Sequence, residues 1–281
     1  MNKIHWHPGF YGGMELELRH NKNDLIFETE HQLSKEPLKI DMLIIKKKSD
    51  VKIQNQIGAI FRKHNIVEYK SPEDGMTIDD YSKAVGYALL YKGLGTIVDE
   101  IPLDELTVSL VRDTYPIRLM ESVKAHGGVI EEHFPGIYYI TGIFIIPTQV
   151  VVTGQLLSTE HSFLRVLSKN AKEEDVLQFL KAAEEISSQG DKNNVSAVLQ
   201  VSSSANEELY DQIRRDNNMF ETLKEIMKDD FKETAEKASE ETTKKHISTI
   251  MKKMNITAEE AMDILEVPLE ERKVFLVQLN K

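Results

Sequence analysis

The sequence predicts an α/β fold with a mixed central sheet flanked by helices, followed by a helical carboxy-terminal region. Three observations carry that expectation. Helical and strand patterns alternate over residues 1–160. One strand is apolar on both of its faces. Composition then changes near residue 160, beyond which Glu, Lys, Ala, Ser, Asn and Met dominate.

The first element is a helix over 8–20, opened by Pro8, a residue suited to a first turn. A strand follows over 25–32. The stretch 38–46 reads LKIDMLIIK, with Leu38, Ile40, Met42 and Ile44 on one face and Asp41, Leu43 and Ile45 on the other. Apolar residues on both faces mark a strand covered on both sides. A further strand occupies 66–70. Over 77–92 the residues Ile78, Tyr81, Val85, Ala88 and Leu89 recur at helical spacing. A strand over 106–113, a helix over 116–125 and two β-rich runs within 136–157 complete this part.

Beyond residue 160, helical patterns cover 172–187, 205–217 and 219–243. Leu209, Ile213, Phe220, Leu223, Met227 and Phe231 form a rough apolar stripe. The stretch 229–245 is polar with interspersed charges, the pattern of a solvated helix. Near the end, Thr257 and Glu260 stand at capping-box spacing. The expected domains are therefore 1–160 and 161–281, the second mainly helical and suited to docking or self-association.

Composition narrows the function classes. The chain has 281 residues, 35 Lys+Arg, 46 Asp+Glu and a formal net charge of −11. That balance argues against a protein that coats nucleic acid by bulk charge. Residues 1–160 hold 17 basic and 22 acidic residues and 161–281 hold 18 and 24, so the acidity does not follow the composition break. No cysteine is present, which excludes disulfides, thiolate metal sites and cysteine nucleophiles. No stretch approaches the ~20 apolar residues of a membrane span, and residues 1–13 have no secretory core. A cytoplasmic protein without membrane association is expected.

The chemistry concentrates in Asp41 and the triplet Glu68-Tyr69-Lys70. In a strand, residues two apart share a face, so Glu68 and Lys70 point one way while Tyr69 and Val67 point the other. If the strands 38–46 and 66–70 pair, Asp41 can lie beside Glu68. Two carboxylates so placed repel unless a cation lies between them, and oxygen ligands suit Mg²⁺ or Mn²⁺. An ammonium on the same face can orient a water or stabilise charge on a phosphate. Glu15 and Glu17 in the preceding helix face different directions, so one of them can add a carboxylate. Glu17 is the preferred one.

These residues resemble the PD-(D/E)XK nuclease superfamily, most closely the bacterial PD-(D/E)XK nuclease family transposases and recombination-promoting nucleases. The resemblance is carried by FYGGMELELR at 10–19, KIDMLIIK at 39–46, VEYKSP at 67–72 and DDYSKAVGYALLYK at 79–92, and it extends to ITAEEAMDILEVPLEER at 256–272. It implies a restriction-endonuclease-like fold and metal-dependent hydrolysis of DNA. Asp41, Glu68 and Glu17 would hold the metal, and Lys70 would be the catalytic lysine. Lys83 and Tyr87 occupy the spacing of a Gln-x-x-x-Tyr motif of the superfamily, with Lys in place of Gln, and would contact a phosphate. No Pro precedes Asp41. The competing expectation is a catalytically silent nuclease-like domain that binds DNA or protein.

The remaining features are weaker signals. Residues 35–64 hold eight basic residues against three acidic ones, which suits either a phosphate-binding patch or a solvated hairpin. His5 and His7 lack a third metal ligand nearby, and Trp6 and Phe10 read as a staple on the core. His126 and His133 flank Gly127-Gly128 and are expected in a loop. Gly12-Gly13 and Gly93-Leu94-Gly95 lack the spacing of a phosphate loop.

Overall fold

The β-branched runs of the first half pair into one seven-stranded sheet. The structure is a computed structural model and describes residues 6–29, 42–48 and 51–216, with Thr257, Ala258, Met262 and Arg272. Asp41 and most of 217–281, including 219–243 and the bulk of 256–272, lie outside the described residues. The strands are β1 (Leu25–Thr29), β2 (Met42–Lys47), β3 (His64–Lys70), β4 (Leu106–Arg112), β5 (Val129–Phe134), β6 (Ile137–Thr141) and β7 (Thr148–Val152). Their order in the sheet is β1-β2-β3-β4-β7-β6-β5. The β1/β2 and β2/β3 pairs are antiparallel, β4 runs parallel to both β3 and β7, and the β7-β6-β5 side is antiparallel again. The α/β class and the mixed sheet are as the sequence predicts.

The helices are α1 (Trp6–Glu17), α2 (Ile78–Lys92), α3 (Ile117–Ala125), α4 (Ser162–Arg165), α5 (Glu173–Glu184), α6 (Gln189–Ala205) and α7 (Glu207–Asp216). Two of them cover one face of the sheet. Tyr81, Ala84, Val85 and Ala88 of α2 and Leu119, Met120 and Val123 of α3 pack with Ile44, Ile66, Val108, Leu110 and Val150. Helix α1 covers the opposite face, where the Phe10 ring stacks on Tyr69 with centroids 4.1 Å apart. Trp6 and Phe10 are both buried, as a staple on the core requires. The α1 face of the sheet also carries the buried Asn65 amide, which is bonded through both its oxygen and its nitrogen. Asn65 donates to the Ile45 and Arg62 carbonyls and accepts from the Arg62 amide and the Thr107 hydroxyl. Such pairing offsets the cost of burying an amide.

Helix α1 in turn packs along α6. Gly12 allows this close approach, since a Cβ there would lie 3.0 Å from the Asn194 carbonyl oxygen. Gly9 does the same against Val201, at 2.8 Å. The Gly12-Gly13 pair is therefore a packing device. Residues Met1–Leu223 form one compact unit and Lys224–Lys281 a second. The composition break near 160 marks the end of the sheet, while the unit continues because α6 is needed to cover α1.

Two elements were not evident in the sequence. Strand β5, VIEEHF, is an edge strand exposed along most of its length, so it lacks the apolar alternation of a half-buried strand. His133 lies on β5 and stacks on Tyr139 at 4.4 Å, in place of the expected loop. Helix α6 is rich in Ser, Asn and Gln and buries a narrow stripe of Val195, Val198, Leu199, Val201 and Ser202.

Phe10→Ala removes the ring that seals α1 to β3 and should cost about 3–5 kcal/mol, as buried Phe truncations do. Urea unfolding measures this, and an effect under about 1 kcal/mol would show that α1 is held without that contact.

Candidate active site

Strand β3 positions the chemistry. Its alternation gives Tyr69 to the α1 face and Glu68 and Lys70 to the α2 face. The register pairs Met42 with Glu68 on one side and Leu110 with Glu68 on the other. The expected antiparallel pairing of these two strands is present, but its register sets Met42 rather than Asp41 opposite Glu68, and Asp41 itself lies outside the described residues. Glu68 is 5% exposed. The Lys70 ammonium is 3.4 Å from Glu68 Oε1 and 2.8 Å from Asp80 Oδ1.

Asp80 comes from the first turn of α2. Its other oxygen, Oδ2, accepts from both the backbone N–H and the hydroxyl of Thr77, at 2.8 Å each. Sequence reasoning missed this residue. The available signal was Thr77-x-x-Asp80, a capping-box spacing at the start of the predicted helix. Lys83 is exposed, lies over the Tyr87 ring at 5.4 Å, and exerts its charge on Glu68. The sequence-predicted residues Glu68, Lys70 and Lys83 are therefore brought into one electrostatic neighbourhood.

The electrostatics are uneven. Burial pushes the Glu68 carboxyl above the ordinary range, and the charges of Lys70 and Lys83 offset only part of this. Burial also opposes the Lys70 charge, but the bonds to Asp80 and Glu68 outweigh it and the ammonium is held above its ordinary value. Burial likewise opposes the Asp80 charge, yet Lys70 and Thr77 together keep that carboxyl below its ordinary value.

Glu17 does not join this group. Its Oε2 accepts from Asn55 Nδ2 at 3.0 Å and lies 2.9 Å from His161 Nδ1. Asn55 opens a turn whose Ile57 carbonyl accepts from Gln149, and Gln149 bonds Ser109 on the α1 face of the sheet. Glu17 is thereby held on the face opposite Glu68. Glu15 accepts from Asn194 of α6 at 2.9 Å. The expectation of a helix-borne metal ligand is corrected accordingly: α1 turns Glu17 toward α4 and the 56–60 turn, because Phe10 and Trp6 fix its apolar side on the sheet.

A hard divalent cation needs several oxygen donors around one point. Among the described residues, no group of three or more His, Asp or Glu side chains is arranged to hold a metal ion. Glu68 and Asp80 are the two carboxylates at this site, and an ammonium lies between them. The described residues therefore offer Glu68 as one ligand and do not by themselves complete a metal centre.

Most of the described basic residues of the stretch 35–64 are engaged within the fold. Lys46 pairs with Glu28 at 2.7 Å and Lys63 with Glu105 at 3.2 Å. Lys47, Lys48 and Arg62 donate to the carbonyls of Val51, Asn23 and Asp104. Among the described residues, no helix is long and apolar enough to cross a membrane. No family model matches the chain, and no curated protein and no solved structure is significantly similar to it.

The raised Glu68 pKa sets a stability prediction with a definite sign. The folded state holds this proton more tightly than the unfolded chain, so ionised Glu68 destabilises the fold above its folded pKa. Below the unfolded value near 4.5 the penalty is absent. Glu68→Gln should therefore raise Tm at pH 7.5, and the gain should fade as pH falls through the folded pKa toward 4.5. Calorimetry across this range checks it, and a loss of stability at pH 7.5 would contradict it.

Proposed function

We propose that this chain is a divalent-metal-dependent DNA endonuclease that hydrolyses phosphodiester bonds in the cytoplasm, in a recombination or mobile-element context. The observation that carries this reading is the side-by-side placement of Glu68 and Lys70 at the end of a strand covered on both faces. A carboxylate kept buried, with its pKa raised and a cation 3.4 Å away, is costly to the fold and is characteristic of functional sites. The topology supports it further. Strands β3 and β4 run parallel, and the pair Glu68/Lys70 lies at their carboxyl ends, where open α/β sheets hold ligands.

Mg²⁺ or Mn²⁺ would be held by Glu68 together with Asp41. When bound, such an ion polarises a phosphoryl oxygen and activates water. Lys70 would orient the attacking water or stabilise charge on the phosphate. Lys83 and Tyr87 on α2 would contact a flanking phosphate. The helical region 161–281 would support self-association.

One observation favours a second reading. Lys70 is already engaged by two carboxylates, and a closed triad of this kind suits a catalytically silent domain that binds DNA or protein. Plasmid nicking in Mg²⁺ or Mn²⁺ separates the two. The wild-type chain should nick, and Asp41→Ala, Glu68→Ala and Lys70→Ala should each lower the rate by about 100-fold or more, the scale of losing one preorganised charged group. Nicking that survives Glu68→Ala and Lys70→Ala would sink the assignment. DNA retention without any nicking would favour the silent module.

A further inference from the structure

Lysine is a long, flexible cation, and holding its head group in one place costs rotamer freedom. At the end of β3 that cost is met from two sides. Glu68 lies at 3.4 Å and Asp80 at the shorter 2.8 Å. Asp80 is itself immobilised, because Oδ2 takes both Thr77 donors while Oδ1 faces Lys70. A capping role needs only the first of these oxygens. The second is directed across the gap between α2 and β3, onto the residue expected to do chemistry.

We propose that Asp80 is a positioning residue that anchors the Lys70 ammonium beside Glu68, so that Lys70 stays in place when Glu68 engages another cation. This rests on the nuclease reading. In it, Lys70 is shared between Asp80 and Glu68 in the resting protein. Once Glu68 turns to a cation, Asp80 alone keeps the ammonium within reach of the site. Helix α2 then does two things: it covers the sheet, and its first turn fixes the geometry of the strand beneath it.

The test combines stability and activity on the full-length chain. Asp80→Asn keeps an oxygen for the Thr77 amide and removes the charge facing Lys70. In a double-mutant cycle with Lys70→Met, the unfolding equilibrium constant of the double variant should differ from the product expected of the singles by about threefold or more. Plasmid nicking by Asp80→Asn should lose about 10- to 100-fold in kcat at unchanged KM for DNA, the cost of a misplaced catalytic group. Asp80→Glu should recover part of it.

Additive singles would overturn the inference, as would coupling accompanied by unchanged nicking. A wild-type chain that keeps the coupling but never nicks would overturn the nuclease reading, and the positioning role of Asp80 in catalysis with it. Nicking by wild type without coupling would overturn the role of Asp80 alone.

Discussion

The architecture depends on a strand that must be buried on both faces while ending in a charge pair. Strand β3 has β2 and β4 as hydrogen-bonded neighbours, α1 on one face and α2 on the other. Ile66 and Val67 in its interior are apolar, and the Asn65 amide is fully bonded. His64 opens the strand beside the Tyr91 hydroxyl at 2.9 Å, and a carboxylate and an ammonium appear only at its carboxyl end, where the sheet cannot satisfy them. Asp80 supplies what the strand lacks. Without a counter-charge from α2, Lys70 would face Glu68 alone at 3.4 Å, a weak return for two partly desolvated charges.

That constraint reaches outward through Tyr69. Because side chains alternate, fixing Glu68 and Lys70 toward α2 forces Tyr69 toward α1, where Phe10 stacks on it. Helix α1 must then lie flat, and the glycines at 9 and 12 let α6 close over it. The helices after residue 160 are thus a second layer of the same compact unit, as far as Leu223. Glu17 follows from this too. It is carried to the face opposite Glu68 and buried against Asn55 and His161.

The charge balance also takes a local meaning. A net charge of −11 speaks against tight binding of DNA by bulk electrostatics. The basic stretch 35–64 compensates less than its sequence suggests, since Lys46 and Lys63 are paired internally. Among the described residues, Lys83 is exposed on α2 and acts electrostatically on Glu68, which suits it to meet a phosphate at the proposed site. Contact with a polyanion would be narrow and sensitive to salt.

Much of the fold was legible in the sequence because its signals are local. Periodicity located α2, β3, β4 and α3 to within a few residues, and the apolar doubling of 42–47 marked a covered strand. The pairing of Glu68 with Lys70 also follows from strand alternation alone. Strand β5 escaped because it is exposed along most of its length, and helix α6 because its short apolar stripe sits inside a run rich in Ser, Asn and Gln that masks the period. The destination of Glu17 and the part of Asp80 were not legible either. Helical spacing says which way a side chain leaves its helix, but not which face of the sheet that helix will cover. The sequence by itself determined most of the elements and the two charges at the end of β3. Tertiary structure decided which distant carboxylate answers them, because that choice is made by packing α1 and α2 on opposite faces of one sheet.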